Sequence, residues 1–166
     1  MKLTQIDSAI EICQEHLDRT ASRGTEVEAF LTRHLLVFVC AVFEEQIEAI
    51  VIQRLARSPD PHVESFAKSA LDAVFRSTKT SEIAGLLNRF GADYKEQFQS
   101  RVRDTRAEVY FNNIVTGRHA IVHGTGSNVT FGELVEFYGE AHTILDAVNE
   151  ICSHQNPVAN EAQLAP

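Results

Sequence analysis

The chain is 166 residues long, 44% hydrophobic with ten Phe and no Trp, and carries a formal net charge of −8. That length and apolar content suit one folded domain with a substantial core and exclude a disordered chain, while the acidic balance counts against a protein that coats nucleic acid by bulk charge. Cys13, Cys40 and Cys152 are odd in number and scattered, which argues against a disulfide framework or a CxxC metal site and for reduced thiols in a cytoplasmic protein.

Period-two alternation is almost absent and periods near 3.6 recur throughout, so the chain reads as all-α, a bundle of about five to six helices. Met1-Lys2-Leu3-Thr4 meets Asp7 and Glu11 before any hydrophobic region forms, so the N-terminus does not read as a signal peptide. A first helix is expected from about Thr4 to Ala21, with Ile6, Ala9, Ile10, Cys13 and Leu17 on one face and Arg23-Gly24 as its break. Thr25 with Glu28 forms a capping box that opens a second helix, running to about Arg57. Its middle, Leu35 to Phe43, is apolar on every side, the mark of one long helix buried at the centre of a bundle. Bounded by Arg33 and Glu44-Glu45, that stretch is well short of the roughly 20 residues a bilayer needs, and no membrane partner is expected.

Asp60 as N-cap with Pro61 behind it opens a third helix carrying Val63, Phe66, Ala70, Leu71, Val74 and Phe75 inward. A short helix with Ile83, Leu86, Leu87 and Phe90 closes at Gly91, and Ala92 to Arg103 is the least regular stretch. From Asp104 a helix carries Tyr110, Phe111, Ile114, Val115, Ile121 and Val122, with Gly124 as its cap. Thr130 with Glu133 opens the last helix, whose inward stripe runs from Phe131 to Cys152. The domain is taken as residues 1–154 and residues 155–166 as a flexible tail with little that packs.

Candidate chemistry concentrates at Arg118-His119-Ala120-Ile121-Val122-His123, followed by Gly124. Arg118 projects from the edge of an apolar helix face, where a cation must find solvent, a partner or an anion. His123 falls in the last helical turn. An arginine neutralises a phosphate through a permanently charged fork, and a histidine gives and takes a proton near pH 7. The bland alternative is a surface arginine beside a histidine that helps cap a helix. Between Arg89 and Arg118, six bases outnumber four acids, which reads either as a basic groove or as a solvated mixed face. Residues 119–166 carry six acids and no Lys or Arg. His119 and His123, an i, i+4 pair, match zinc-ligand spacing, but Ala120 stands where the zinc-protease pattern needs Glu, and no metal or other cofactor is expected. His16, His34, His62 and His154 stand alone. Glu44, Glu45 and Glu48 mark either the central helix emerging into solvent or a carboxylate turned inward to orient an arginine such as Arg118.

The phrase Asn113-Ile114-Val115-Thr116-Gly117-Arg118-His119-Ala120-Ile121-Val122-His123-Gly124, late in an all-α chain, resembles the signature of HEPN domains. In that pattern an Arg and a polar residue precede a His, and here four residues intervene between Arg118 and His123, with His119 as the polar residue. The apolar helix ending Phe43-Glu44-Glu45-Gln46-Ile47 and the segment Ile83 to Gly91 also look like the RiboL-PSP-HEPN or MAE_28990-like branch, over roughly residues 5 to 152. The resemblance implies a HEPN-like bundle that forms a homodimer with its two motifs across one cleft. It also implies a metal-independent endoribonuclease in which His123 is general base or acid, Arg118 stabilises the phosphorane and His119 orients or assists. Thr125 stands where some HEPN toxins carry a Tyr modified by a nucleotidyltransferase partner, so that control is not expected. The leading expectation is an RNA-cleaving protein of a bacterial defence, toxin–antitoxin or RNA-damage-linked system, with an antitoxin or defence protein as a further partner. The alternative is a non-catalytic HEPN module that binds a protein or RNA through the same cleft.

Overall fold

A computed structural model describes residues 3–75 and 77–153, the side chains of 72–74 excepted. The described residues form seven helices and no strand: α1 (Thr4–Arg19), α2 (Glu26–Leu55), α3 (Pro61–Val74), α4 (Thr80–Leu87), α5 (Ala92–Val102), α6 (Arg106–Val122) and α7 (Phe131–Ser153). The expected tail, residues 155–166, lies outside them, as does His154.

α2 is the long central helix, with α1, α3, α6 and α7 packed around it. Thr25 caps it by accepting from the Val27 N–H at 3.3 Å, while the Glu28 carboxylate reaches back to the Gly24 N–H, one residue earlier than the expected box. Leu35, Leu36, Val39, Cys40, Val42, Phe43 and Ile47 are buried, as the apolar run requires. One stripe differs. Phe30, His34, Val37 and Ala41, spaced to share a helix face, are exposed, Phe30 at 66% and Val37 at 38%. The helices packed on α2 cover only part of its circumference.

Asp60 accepts from the His62 N–H at 2.9 Å and Pro61 follows it, so α3 begins as expected. Val63 and Phe66, expected inward, are instead 53% and 77% exposed. α3 packs mainly on α2 and buries only its far end, through Leu71 and the capping Phe75. The stretch read as irregular is α5, whose Tyr94, Phe98 and Val102 are buried at intervals of four. A stripe one residue wide, in an otherwise polar segment, is too thin a periodic signal to stand out.

α6 packs against both α7 and α2, which also pack directly on each other. Thr105 accepts from the Glu108 N–H at 3.2 Å and the Glu108 carboxylate accepts from the Asp104 N–H at 2.8 Å, which fixes its start. Glu108 and Asn112 then hold the beginning of α4: the Thr80 N–H donates to Asn112 Oδ1 at 3.2 Å and the Thr80 hydroxyl donates to Glu108 Oε1 at 3.1 Å. The Phe43 and Phe111 rings pack at 4.9 Å, and further along α6 Gly117 meets Leu36, so the two helices run antiparallel. A Cβ on Gly117 would stand 3.2 Å from Leu36 Cδ1 and 3.1 Å from Ser127 Oγ. Glycine therefore lets the backbone of α6 approach α2 and the following loop closely, one residue before Arg118.

Gly124, at φ +72°, stops α6 in the left-handed conformation that glycine adopts without strain. Its N–H donates to the Ile121 carbonyl at 3.1 Å and the Thr125 N–H to Ala120 at 3.0 Å, closing the last turn as a Schellman motif. Thr130 and Glu133 form the expected reciprocal box at the start of α7, with bonds of 2.8 and 3.2 Å. Among the described residues no helix is long and apolar enough to cross a membrane.

Candidate functional site

The end of α6 gathers the three side chains singled out in the sequence. Arg118 lies on the face of α6 turned toward α2, beyond Phe111 and Ile114, which are both buried in the core. Its side chain keeps 28% exposure, and Nη1 stands 3.8 Å from Glu44 Oε1, a carboxylate equally exposed. That separation is too long for a hydrogen bond. Arg118 makes no hydrogen bond among the described residues, so its fork of donors remains open to an anion. Of the three glutamates considered in α2, Glu44 is the one that faces Arg118. Half-exposed pairs of this kind contribute at most about 1 kcal/mol. The carboxylate thus sets where the guanidinium rests more than it holds it.

Cys40, one turn before Glu44, marks the floor below this pair. Burial pushes its thiol up to about 12, with Arg118 pulling it down and Glu44 adding to the rise. A thiol so placed stays protonated and inert near pH 7.

His119 is half-buried, and its Nε2 is enclosed without a hydrogen-bond partner among the described residues. His123 is exposed and caps α6, its N–H donating to the His119 carbonyl at 3.0 Å. The two rings lie nearly parallel, 15° apart with centroids at 6.3 Å, as i, i+4 spacing dictates. Among the described residues no group of three His, Cys, Asp or Glu is placed to hold a metal ion. Cys152 sits at the far end of α7, where its carbonyl accepts from Arg57 at 3.3 Å.

Two of the bases in the segment before the motif are tied to acids of α7. Arg101 Nη1 pairs with Glu150 Oε2 at 2.6 Å, and Arg106 bonds Glu136 and the Tyr110 hydroxyl. Those two arginines bind the acids of α7 while their side chains stay exposed. Sequence reasoning passed over Gly117, although a glycine inside a helical pattern signals a close approach. It also passed over a cavity of about 390 Å³ on the other side of α6, bounded by the 126–129 loop and the start of α7. No periodicity reveals such a cavity, because its walls come from three separate segments.

A family model, RiboL-PSP-HEPN, matches residues 2–154. No curated protein and no solved structure matches the chain.

Proposed function

The chain belongs to the RiboL-PSP-HEPN family, and from that premise we propose that it is a metal-independent endoribonuclease working as a homodimer. The observation that carries this reading is the placement of Arg118, His119 and His123 at the end of α6, with the guanidinium making no hydrogen bond among the described residues. Arg118 binds the scissile phosphate and stabilises the charge that grows on its oxygens in the transition state. A histidine takes the proton of the ribose 2′-hydroxyl, the 2′-oxygen attacks phosphorus, the bond from phosphorus to the 5′-oxygen breaks, and a second acid protonates that oxygen. The products are a 2′,3′-cyclic phosphate and a 5′-hydroxyl.

In such an in-line displacement the attacked and departing oxygens lie on opposite sides of phosphorus. His119 and His123 lie parallel on one helix and approach from a single side, and His119 Nε2 is enclosed. His123 is therefore the proton-transfer group, His119 positions it, and the His123 of a second copy serves the opposite oxygen. The exposed apolar side chains Phe30 and Val37 on α2 and Val122 on α6, the last 65% exposed, give a second copy something to cover beside the motif. The system served is a bacterial defence, toxin–antitoxin or RNA-damage-linked one, in which a partner protein restrains the enzyme. The activity is placed in the cytoplasm.

The test is purified protein with RNA and a chelator, followed by end-group analysis. Fragments should end in cyclic phosphate or the 3′-phosphate derived from it, and deoxyribose at the cut position should make the substrate inert. Free 3′-hydroxyl ends, or activity lost on chelation, would mean that water is the nucleophile and a metal carries it. A second reading, a non-catalytic module, draws on the net charge of −8 and on Arg101 and Arg106 being engaged with α7. It requires RNA or partner binding that leaves the RNA intact.

A further inference from the structure

We propose that the cavity on the outer side of α6 is a nucleobase subsite selective for guanine, adjoining His123. This rests on the RNA-cleaving reading above and adds to it the identity of the base presented beside the cut. Thr116 and Ala120 line the cavity and share one helix face with His123 by their spacing, so a ribose whose 2′-hydroxyl meets His123 has this groove on the same face of α6. At about 390 Å³ the cavity is within the roughly 300–1,000 Å³ of small-molecule sites.

Its walls are suited to a base and not to a phosphate. The charged group among them is Glu133, whose carboxylate repels phosphate. The Thr130 N–H and hydroxyl both donate to Oε2, at 2.8 and 2.9 Å, while Oε1 takes no bond among the described residues. Those two bonds hold the carboxyl below the usual glutamate range, so it is an acceptor at neutral pH. Asn113 on α6 and Asn128 in the loop that follows it are exposed amides with no hydrogen-bond partner among the described residues. Phe137 supplies an aromatic wall, supported from behind by Tyr110 at 4.7 Å.

An ionised carboxylate needs N–H donors. Guanine alone presents two adjacent ones on its pairing edge, N1–H and N2–H₂, next to a carbonyl that an asparagine amide can donate to. Adenine and cytosine offer one amino group beside an unprotonated ring nitrogen, and uracil one N–H between two carbonyls. Oε1, the oxygen of Glu133 left open among the described residues, can accept from both of guanine's neighbouring donors while an asparagine amide donates to its carbonyl, one bond more than the single amino group of adenine or cytosine allows.

The test titrates the four nucleosides, which lack phosphate, against labelled protein and follows backbone amide shifts. Guanosine should move the signals of Asn113, Asn128 and Glu133 saturably, at least tenfold more tightly than the other three. Glu133→Gln, which preserves the capping box since Gln serves there as well, should abolish that preference. Asn128→Ala, in an exposed loop, should weaken guanosine several-fold, and Arg118→Ala should leave it unchanged. Equal or absent shifts for all four nucleosides, or a guanosine preference that survives Glu133→Gln, overturns the proposal. Guanosine bound here by a protein that cuts no RNA removes the nuclease reading and keeps the subsite. Cleavage with equal kcat/KM beside all four bases keeps the nuclease and removes the subsite.

Discussion

Gly117→Leu tests how closely α6 must lie against α2 for the motif to be placed. A Cβ at this position already meets Leu36 Cδ1 at 3.2 Å, Leu36 Cδ2 at 3.4 Å and Ser127 Oγ at 3.1 Å. The serine hydroxyl can rotate away, but Leu36 is fully buried and has nowhere to go. Replacing a helical glycine by alanine gains about 1 kcal/mol of backbone propensity, and leucine gains slightly less. One added methyl at these distances costs about the same, so Gly117→Ala should stay within about 1 kcal/mol of the parent. Leucine adds three further carbons to a closed space, an overpacking cost of about 3 kcal/mol that leaves a net loss of about 2 kcal/mol. With a urea slope near 2 kcal/mol/M, the unfolding midpoint should fall by about 1 M while the slope itself stays constant. RNA cleavage should fall further than the folded fraction does, because displacing α6 moves Arg118 with it. A leucine variant as stable and as active as the parent would refute the close approach.

Arg118→Ala and His123→Ala should each lower RNA cleavage by about 10²–10⁴-fold while circular dichroism and melting stay near the parent's, since both side chains retain exposure; a variant that unfolds assigns that residue a structural role instead. Val37→Asp, on the exposed stripe of α2, should shift the protein from dimer to monomer by light scattering and lose cleavage together with the dimer, with monomer stability changed by less than about 0.5 kcal/mol. Burial raises the Cys40 thiol to about 12, so above pH 9 the unfolded chain releases this proton and the folded chain keeps it. Stability is therefore intact below pH 9 and falls by up to about 1.4 kcal/mol per pH unit above it, and Cys40→Ala should make that alkaline limb shallower in urea titrations.

The helix boundaries readable in the sequence were those written as local chemistry. Asp60-Pro61, Gly124 and the Thr130–Glu133 pair each supply or avoid one backbone hydrogen bond, and each works as its residues dictate. Long-range partners are a different matter. Periodicity shows that Val63 and Phe66 share a face with Leu71, but only the placement of α2 determines that the first two stay exposed while the third is covered. In the same way the run Leu35 to Phe43 is apolar all round, yet which side remains open depends on where α1, α3, α6 and α7 settle. The motif at the end of α6 was legible because its three side chains sit on one helix. The glutamate that faces it lies 74 residues earlier in the chain and had two companions of equal chemical merit.

The charge balance becomes consistent with RNA chemistry once the basic side chains are followed to their partners. Arg57 donates to the carbonyls of Cys152 and Ser153 at 3.3 and 3.0 Å, where a cation offsets the negative end of α7. Arg54 reaches the Tyr94 hydroxyl at 2.7 Å, and Arg23, Arg101 and Arg106 are engaged with Asp18, Glu150 and Glu136. Arg54, Arg57, Arg101 and Arg106 thereby tie one helix to another, and Arg23 ties the turn after α1 back to that helix. Arg118 makes no such bond among the described residues: its carboxylate neighbour Glu44 stands at 3.8 Å, outside hydrogen-bonding distance, and His119 and His123 follow it on the same helix end. A protein that needs one well-placed cation per subunit at the scissile phosphate has no need of a positive surface. On the proposed reading, net acidity would keep RNA from binding where no chemistry waits and leave the cleft of the proposed dimer as the place where a phosphate gains by staying.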